Sequence, residues 1–251
     1  MRSLLALDLL NSFRKCFDAI EKDQLALIDQ SAEMIAESVT NGGAWHVHDT
    51  GHIIDRELIH RGGGLMFIRP FRWSFSVEDP VPACLRNRPP VDPNYDVAKE
   101  TVRLAVHASN LRAGDVITIG SVSGRSFPQI ELALQCREIG CKVIVISSHN
   151  YSTQVEPKHP SGKRLFECAD IFLDNLAPLG DGHMQVEGYD VPLFPLSGIN
   201  AAMITWMIVA GVVEKMNAKG AQPQIWKSAN IDGGADRNRQ VETEIVDKVG
   251  Y

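Results

Sequence analysis

The sequence has no cysteine pair. Cys16, Cys84, Cys136, Cys141 and Cys168 are scattered, odd in number, and never spaced as CxxC. That excludes a disulfide framework and a cysteine zinc site, and it fits the reduced thiols of a cytoplasmic protein. An excess of base is missing too. With 25 Lys and Arg against 31 Asp and Glu, the formal charge is −6, so the basic face of a nucleic-acid binder is not expected. A local loop on such a chain can still hold a small anion. No secretory leader is evident, because Asp8 interrupts the first apolar run, Arg14 and Lys15 follow, and no small-residue cleavage site appears. The most apolar stretch, Ile199 to Val213, falls short of the ~20 residues of a membrane span and reads as a buried helix. Low-complexity linkers and internal repeats are also absent. The 251 residues, 44% hydrophobic and 22% charged, therefore read as one α/β domain over 1–251, with a helical arm over 1–41 and a tail over 220–251.

What is present is alternation. Apolar residues recur at helical spacing through residues 3 to 40, until Asn41-Gly42-Gly43 stops the pattern. Ala44 to His48 reads as a strand, Ile53 to His60 as a helix ended by Gly62-Gly63-Gly64, and Leu65 to Ile68 as a second strand. A proline-rich excursion over 69–93 precedes a helix over 94–110. Strand 115–119, helix 128–139, strand 142–146, helix 162–168, strand 170–174 and a long helix over 196–217 follow. Apolar strands separated by helices predict a parallel sheet covered on both faces. Ligands of such sheets gather at the carboxyl ends of the strands.

At one such end stands Gly120-Ser121-Val122-Ser123-Gly124-Arg125-Ser126. Its glycines permit unusual backbone angles, and its hydroxyls and N–H groups can surround a compact anion at a helix N-terminus. The same composition also suits a serine-rich turn with no ligand. Other hydroxyls fall at comparable places: Thr50 after the first strand, Ser147 and Ser148 after strand 142–146, and Ser197 opening the long helix.

Together these loops resemble the sugar isomerase (SIS) domain family, whose Ser-x-Ser-Gly-x-Thr/Ser phosphate loop is similar to Ser121–Ser126. Further pieces resemble a poorly characterised branch of that family, named as phosphosugar isomerases. They are Glu57 with Arg61-Gly62-Gly63-Gly64, His159 to Leu165, Asp174-Asn175 with Gly180-Asp181, and Ser228 to Gly234. The likeness departs at His46 to His52, where the branch has a Gly-x-Gly-His-Ser-type loop. It departs again at Ser197-Gly198-Ile199-Asn200, in place of a Ser-Thr pair. The resemblance implies a three-layer α/β sandwich around a five-stranded parallel sheet of flavodoxin-like topology, with N-terminal helices. It also implies a homodimer or homotetramer with its site near a subunit interface, a phosphorylated sugar as ligand, and no cofactor.

On that reading Ser121, Ser123, Gly124, Ser126 and Ser197 hold phosphate. Aldose–ketose isomerisation needs a base near C1 and C2 and a donor for the developing oxyanion. Glu57 is the candidate base, as family isomerases commonly carry a glutamate on the helix after the first strand. It is equally placed to pair with Arg61 one turn on. His159, in the polar loop Pro157–Lys163, is a candidate proton shuttle or a solvated histidine. His60 is a weaker alternative. Thr50, His52, Ser147, Ser148 and Lys163 are candidate substrate contacts. His46 and His48 on one strand face, with Asp49 or His52, are weak metal candidates that read as well as hydrogen-bonded core residues, and no metal site is assigned. Asp174, Asn175 and Asp181 read as turn caps, or as lining of a polar pocket. The competing functions are a non-catalytic phosphosugar sensor and a metal-dependent lyase or hydrolase using the histidine-rich loop.

Overall fold

Continuous helical periodicity through residues 5 to 40 produces one uninterrupted helix, α1 (Leu5–Thr40). The structure, a computed structural model, describes residues 4–49 and 54–251, apart from the side chains of Ile54 and Asp55. After α1 come β1 (Trp45–Asp49), α2 (Ile54–Leu58), β2 (Arg69–Pro70), α3 (Val97–His107), β3 (Val116–Gly120), α4 (Phe127–Glu138), β4 (Lys142–Ser147), α5 (His149–Thr153) and β5 (Ile171–Asp174). A short antiparallel hairpin, β6 (Gly182–Met184) with β7 (Leu193–Pro195), leads into α6 (Ser197–Ala218). The tail carries α7 (Gly234–Val241), a π-helical turn over Glu242–Val246, and α8 (Asp247–Val249).

The five main strands are all parallel, in the order β2-β1-β3-β4-β5. This is the flavodoxin-like arrangement, whose order reverses between β1 and β3. Strand periodicity sorts the core into two faces. Val116, Ile144, Ile146 and Leu173 face α1 and α6, where Ile28, Ile35, Ile204 and Ile208 are buried. Ile117, Ile119, Val143 and Val145 face α3 and α4, against Val102, Val106, Ile130 and Ala133. The result is a three-layer α/β sandwich.

The edge strand β5 is closed by a single side chain. Gln24 of α1 donates from Nε2 to the Asp174 carbonyl and accepts from the Asp174 N–H, both at 2.7 Å. This satisfies backbone groups that an open edge leaves unpaired. α6 is long and apolar enough by composition to span a membrane. Its buried residues instead complete the α1 layer, and Lys215 and Lys219 tie it to Asp29 and Glu33 at 2.7 and 2.8 Å.

Two elements differ from the sequence expectation. Leu65 to Ile68 are buried but do not form the second strand; Leu65 bridges Ile225 and the Met66 N–H donates to the Gln224 carbonyl, so the tail claims this segment. Helix 162–168 shrinks to a 3₁₀ turn over Leu165–Cys168, after Pro160 and a left-handed Gly162 at φ +70°.

Candidate functional site

The strand order reverses between β1 and β3, and in open sheets of this kind such a switch point forms a ligand crevice at the carboxyl ends of the strands. The loop Ser121–Ser126 leaves β3 at this crevice and opens α4. Four of its carbonyls are turned into the protein. Val122 O accepts from Ser148 N–H, Ser123 O from Ser152 Oγ, Gly124 O from Leu165 N–H, and Arg125 O from Lys158 N–H, at 2.8 to 3.0 Å. Gly124 sits at φ +57°, and a Cβ there would lie 2.9 Å from both Ser147 Oγ and Ser152 Oγ. Glycine is therefore demanded by backbone angle and by space.

With the carbonyls drawn inward, the other side of the loop keeps its donors. Among the described residues, no backbone N–H from Val122 to Ser126 donates to a protein carbonyl. Ser126 begins α4 without capping it, and neither Ser121 nor Ser123 spends its hydroxyl on a protein partner. Arg125 Nε and Gln129 Oε1, at the same turn, are buried without partners. The partial positive charge at the α4 N-terminus lies at this place. The donors left at this turn are of the kind that can surround a compact anion.

The other expected hydroxyls are placed differently. Ser147 Oγ donates to Val122 O at 3.2 Å. Ser148 Oγ donates to Ala177 O and accepts from Tyr151 N–H, capping α5. Both serines are buried and support the loop from behind. Ser197 gives its hydroxyl to Asp181 Oδ2 and its N–H to Asp181 Oδ1, both at 2.8 Å. Its donors are spent on a carboxylate that an approaching phosphate would repel. Thr50 and His52 lie outside the described residues.

His159 departs furthest from its expected setting. Its side chain is only 8% exposed, and that of Glu131 on α4 only 4%. Nε2 lies 2.8 Å from Glu131 Oε2, while Nδ1 lies 2.7 Å from Ser161 Oγ and accepts the Ser161 N–H at 3.2 Å. That acceptor role puts the proton of a neutral ring on Nε2, toward Glu131. The ring also packs on Phe127, the first residue of α4, with centroids 4.7 Å apart. His159 is thus a buried strut and no solvated loop residue. It fastens the segment whose Lys158 and Leu165 N–H groups hold the phosphate-type loop. Lys163 is exposed in the same segment.

Glu57, on α2, pairs with Arg61 at 3.1 Å, with the carboxylate about one-third exposed. His60 is exposed, with its ring edge-on to Trp226. His46 is buried 3.7 Å from Asp115, and burial holds its pKa below the ordinary histidine value despite that carboxylate. His48 Nδ1–H donates to Phe71 O, 2.9 Å away, and the ring stacks on Trp73 with centroids 4.8 Å apart. The two histidines therefore have separate surroundings. Among the described residues no group of three or more His, Cys, Asp or Glu side chains is placed to hold a metal. The start of the proline-rich excursion, Phe71 and Trp73, is what covers this end of β1.

Two groups escaped the sequence reading. Glu131 sits in an apolar helical run and is spaced 28 residues from its histidine. An acid among apolar neighbours was the one available signal. Asn200 donates to Asn175 O at 2.8 Å, joining the start of α6 to the end of β5. Its meaning depends wholly on that contact.

Comparisons with known proteins give the chain's family. A family model described as SIS domain matches residues 9–148. A UPF0309 protein of Listeria monocytogenes is 31% identical over 238 residues, covering 94% of this chain and 95% of its own. A UPF0309 protein of Halalkalibacterium halodurans is 29% identical, covering 93% and 95%. Among solved structures, the chain is similar to a phosphoheptose isomerase from Neisseria gonorrhoeae at 16% identity, with a TM-score of 0.48, covering 85% of this chain and 97% of that one.

Proposed function

This chain belongs to the SIS-domain family, and from that premise we propose that it binds a phosphorylated sugar and interconverts its aldose and ketose forms. The observation that carries the reading is the Ser121–Ser126 loop, with carbonyls tied inward and hydroxyls and N–H groups left to the crevice. Ser121, Ser123 and Ser126 donate to the phosphate, and Gly124 lets the backbone approach it. Ser197 is left out of this set, since Asp181 holds its donors.

Anchoring the phosphate fixes the sugar carbons relative to the protein. Glu57 then takes the proton from the carbon beside the carbonyl, leaving the electron pair as an enediolate. It returns the proton to the neighbouring carbon while the hydroxyl proton moves between the two oxygens. No electrons enter or leave, so no cofactor is required. Release of Glu57 from Arg61 is part of this step, because a paired carboxylate is a weaker base. His159 acts as a positioning residue, through Glu131 and the strap that holds the loop.

Calorimetry with aldose and ketose phosphates of five to seven carbons, amino sugars included, tests the binding. Ser123→Ala with Ser126→Ala removes two charge-assisted hydrogen bonds, about 3 kcal/mol or some two orders of magnitude in Kd. Unchanged affinity sinks the phosphate assignment. Solvent-deuterium exchange at C1 or C2 tests the chemistry. Glu57→Gln should bind the sugar phosphate and stop exchange, whereas binding without exchange in the unaltered protein makes it a sensor.

A further inference from the structure

Two sequence motifs, Arg61-Gly62-Gly63-Gly64 and Ser228 to Gly234, hold no part of the sugar phosphate in that reading, and the fold brings them together. Gly63 N–H donates to Trp226 O at 2.8 Å and Trp226 N–H to Gly64 O at 2.9 Å. A Cβ on Gly62 would lie 3.2 Å from Ser228 Cα, and one on Gly234 would overlap the Ser228 carbonyl. The glycines are needed because these segments cross backbone against backbone. Asn238 of α7, itself buried, completes the join by donating to Lys227 O at 2.7 Å and accepting from Lys227 N–H at 2.9 Å.

These contacts frame a cavity of about 480 Å³, a size that accepts a small metabolite. Its lining includes His60, Arg61, Trp226, Lys227, Arg239 and Glu242. Three cations thus meet one carboxylate, on a chain whose net charge is −6. The carboxylate is turned aside, toward Arg69 at 3.8 Å. Arg239 pairs with Asp236, and Arg61 with Glu57. The Lys227 ammonium has no ion-pair partner among the described residues. Trp226, edge-on to His60 with centroids 4.9 Å apart, supplies a flat wall.

We infer that this cavity is a second oxyanion site, taking a phosphoryl or carboxylate group against Lys227, Arg239 and Arg61. Its tail wall, residues 226–242, lies outside the stretch matched by the SIS-domain model. Arg61 gives the site a consequence. The same guanidinium neutralises Glu57 and lines the cavity, so an anion seated there competes for it and releases Glu57. That coupling rests on Glu57 being the base; the site itself does not.

The test titrates the full chain with inorganic phosphate and, separately, malonate, by calorimetry and tryptophan fluorescence. Both probes should bind at millimolar concentration, phosphate tighter if the natural group is phosphoryl and malonate tighter if it is carboxylate. Lys227→Ala with Arg239→Ala should weaken cavity binding at least about tenfold, and Lys227→Gln alone should weaken it measurably if the double variant folds poorly. Ser123→Ala with Ser126→Ala should leave it intact, and Trp226→Phe should abolish its fluorescence response. Failure of the unaltered protein to bind either anion overturns the site, as does unchanged binding in a folded Lys227/Arg239 variant. Loss of all anion binding in the serine variant alone also overturns it, while leaving the phosphosugar reading standing. Loss in the lysine–arginine variant alone upholds the site and counts against the phosphate loop.

Discussion

His46 shows how one buried side chain writes itself into stability. Burial is the largest influence on it and lowers its pKa; Asp115 pulls the other way, and Arg69 adds to the lowering. In the range just below the ordinary histidine value, the unfolded chain binds a proton that the folded chain refuses. Stability therefore falls as pH falls through that range and recovers above it. Replacing His46 by Gln should flatten this part of the profile. Thermal melts followed by circular dichroism between about pH 5 and 8 check it. A His46→Gln profile as steep as the unaltered one places the sensitivity elsewhere. His159 teaches a different lesson at the same scale. Proline, lysine, serine and glycine neighbours read as a solvated loop, yet Glu131 and Phe127, remote in sequence, bury the ring. A side chain's partner over such a distance leaves no trace in local composition.

At the scale of elements, the β3–α4 loop depends on one residue for its shape. Gly124→Ala forces a side chain into a left-handed backbone, at roughly 1–2 kcal/mol, and drives Cβ onto the Ser147 and Ser152 hydroxyls. Those hydroxyls hold the Val122 and Ser123 carbonyls inward. The substitution should lower the melting temperature and also weaken phosphosugar binding, whereas Gly162→Ala, a left-handed glycine with open space around it, should lower stability alone. Calorimetry paired with thermal melts separates the two. Equal affinities in both variants remove the loop from the binding site. The same contrast explains what was legible. β3, β4 and α4 were readable because apolar periodicity and length fix such elements locally. Leu65 to Ile68 was not, because a four-residue apolar run pairs with whatever backbone arrives, and here the tail arrives. The Gly/Ser composition of the loop marked it as a candidate. Which hydroxyls stay available was decided by Asp181, Ala177 and Val122, partners that only the fold brings near.

For the whole molecule, α1 poses the remaining structural problem. Its 36 residues extend about 54 Å, yet its first buried residue is Ile20. Ser12 and Phe13 lean on His183 of the β6–β7 hairpin, at 2.8 Å and 5.4 Å. Beyond them Leu4, Leu5, Leu7 and Leu10 are exposed on the opening turns. Short isolated helical segments are marginal in water, and most helical stability comes from packing an apolar face. We therefore propose a second copy of the chain as the partner of these turns, making the protein a homodimer or homotetramer. Leu7 and Leu10 are 49% and 46% exposed, so Leu7→Glu with Leu10→Glu should leave the monomer's fold within about 0.5 kcal/mol of its stability. It should nonetheless shift the mass measured by multi-angle light scattering down to a single chain. A partner that also walls the crevice would make the separated chain bind sugar phosphate more weakly, with the Ser121–Ser126 loop unaltered. An unaltered protein that is already monomeric, or a doubly charged variant that stays assembled, assigns these leucines no part in an interface.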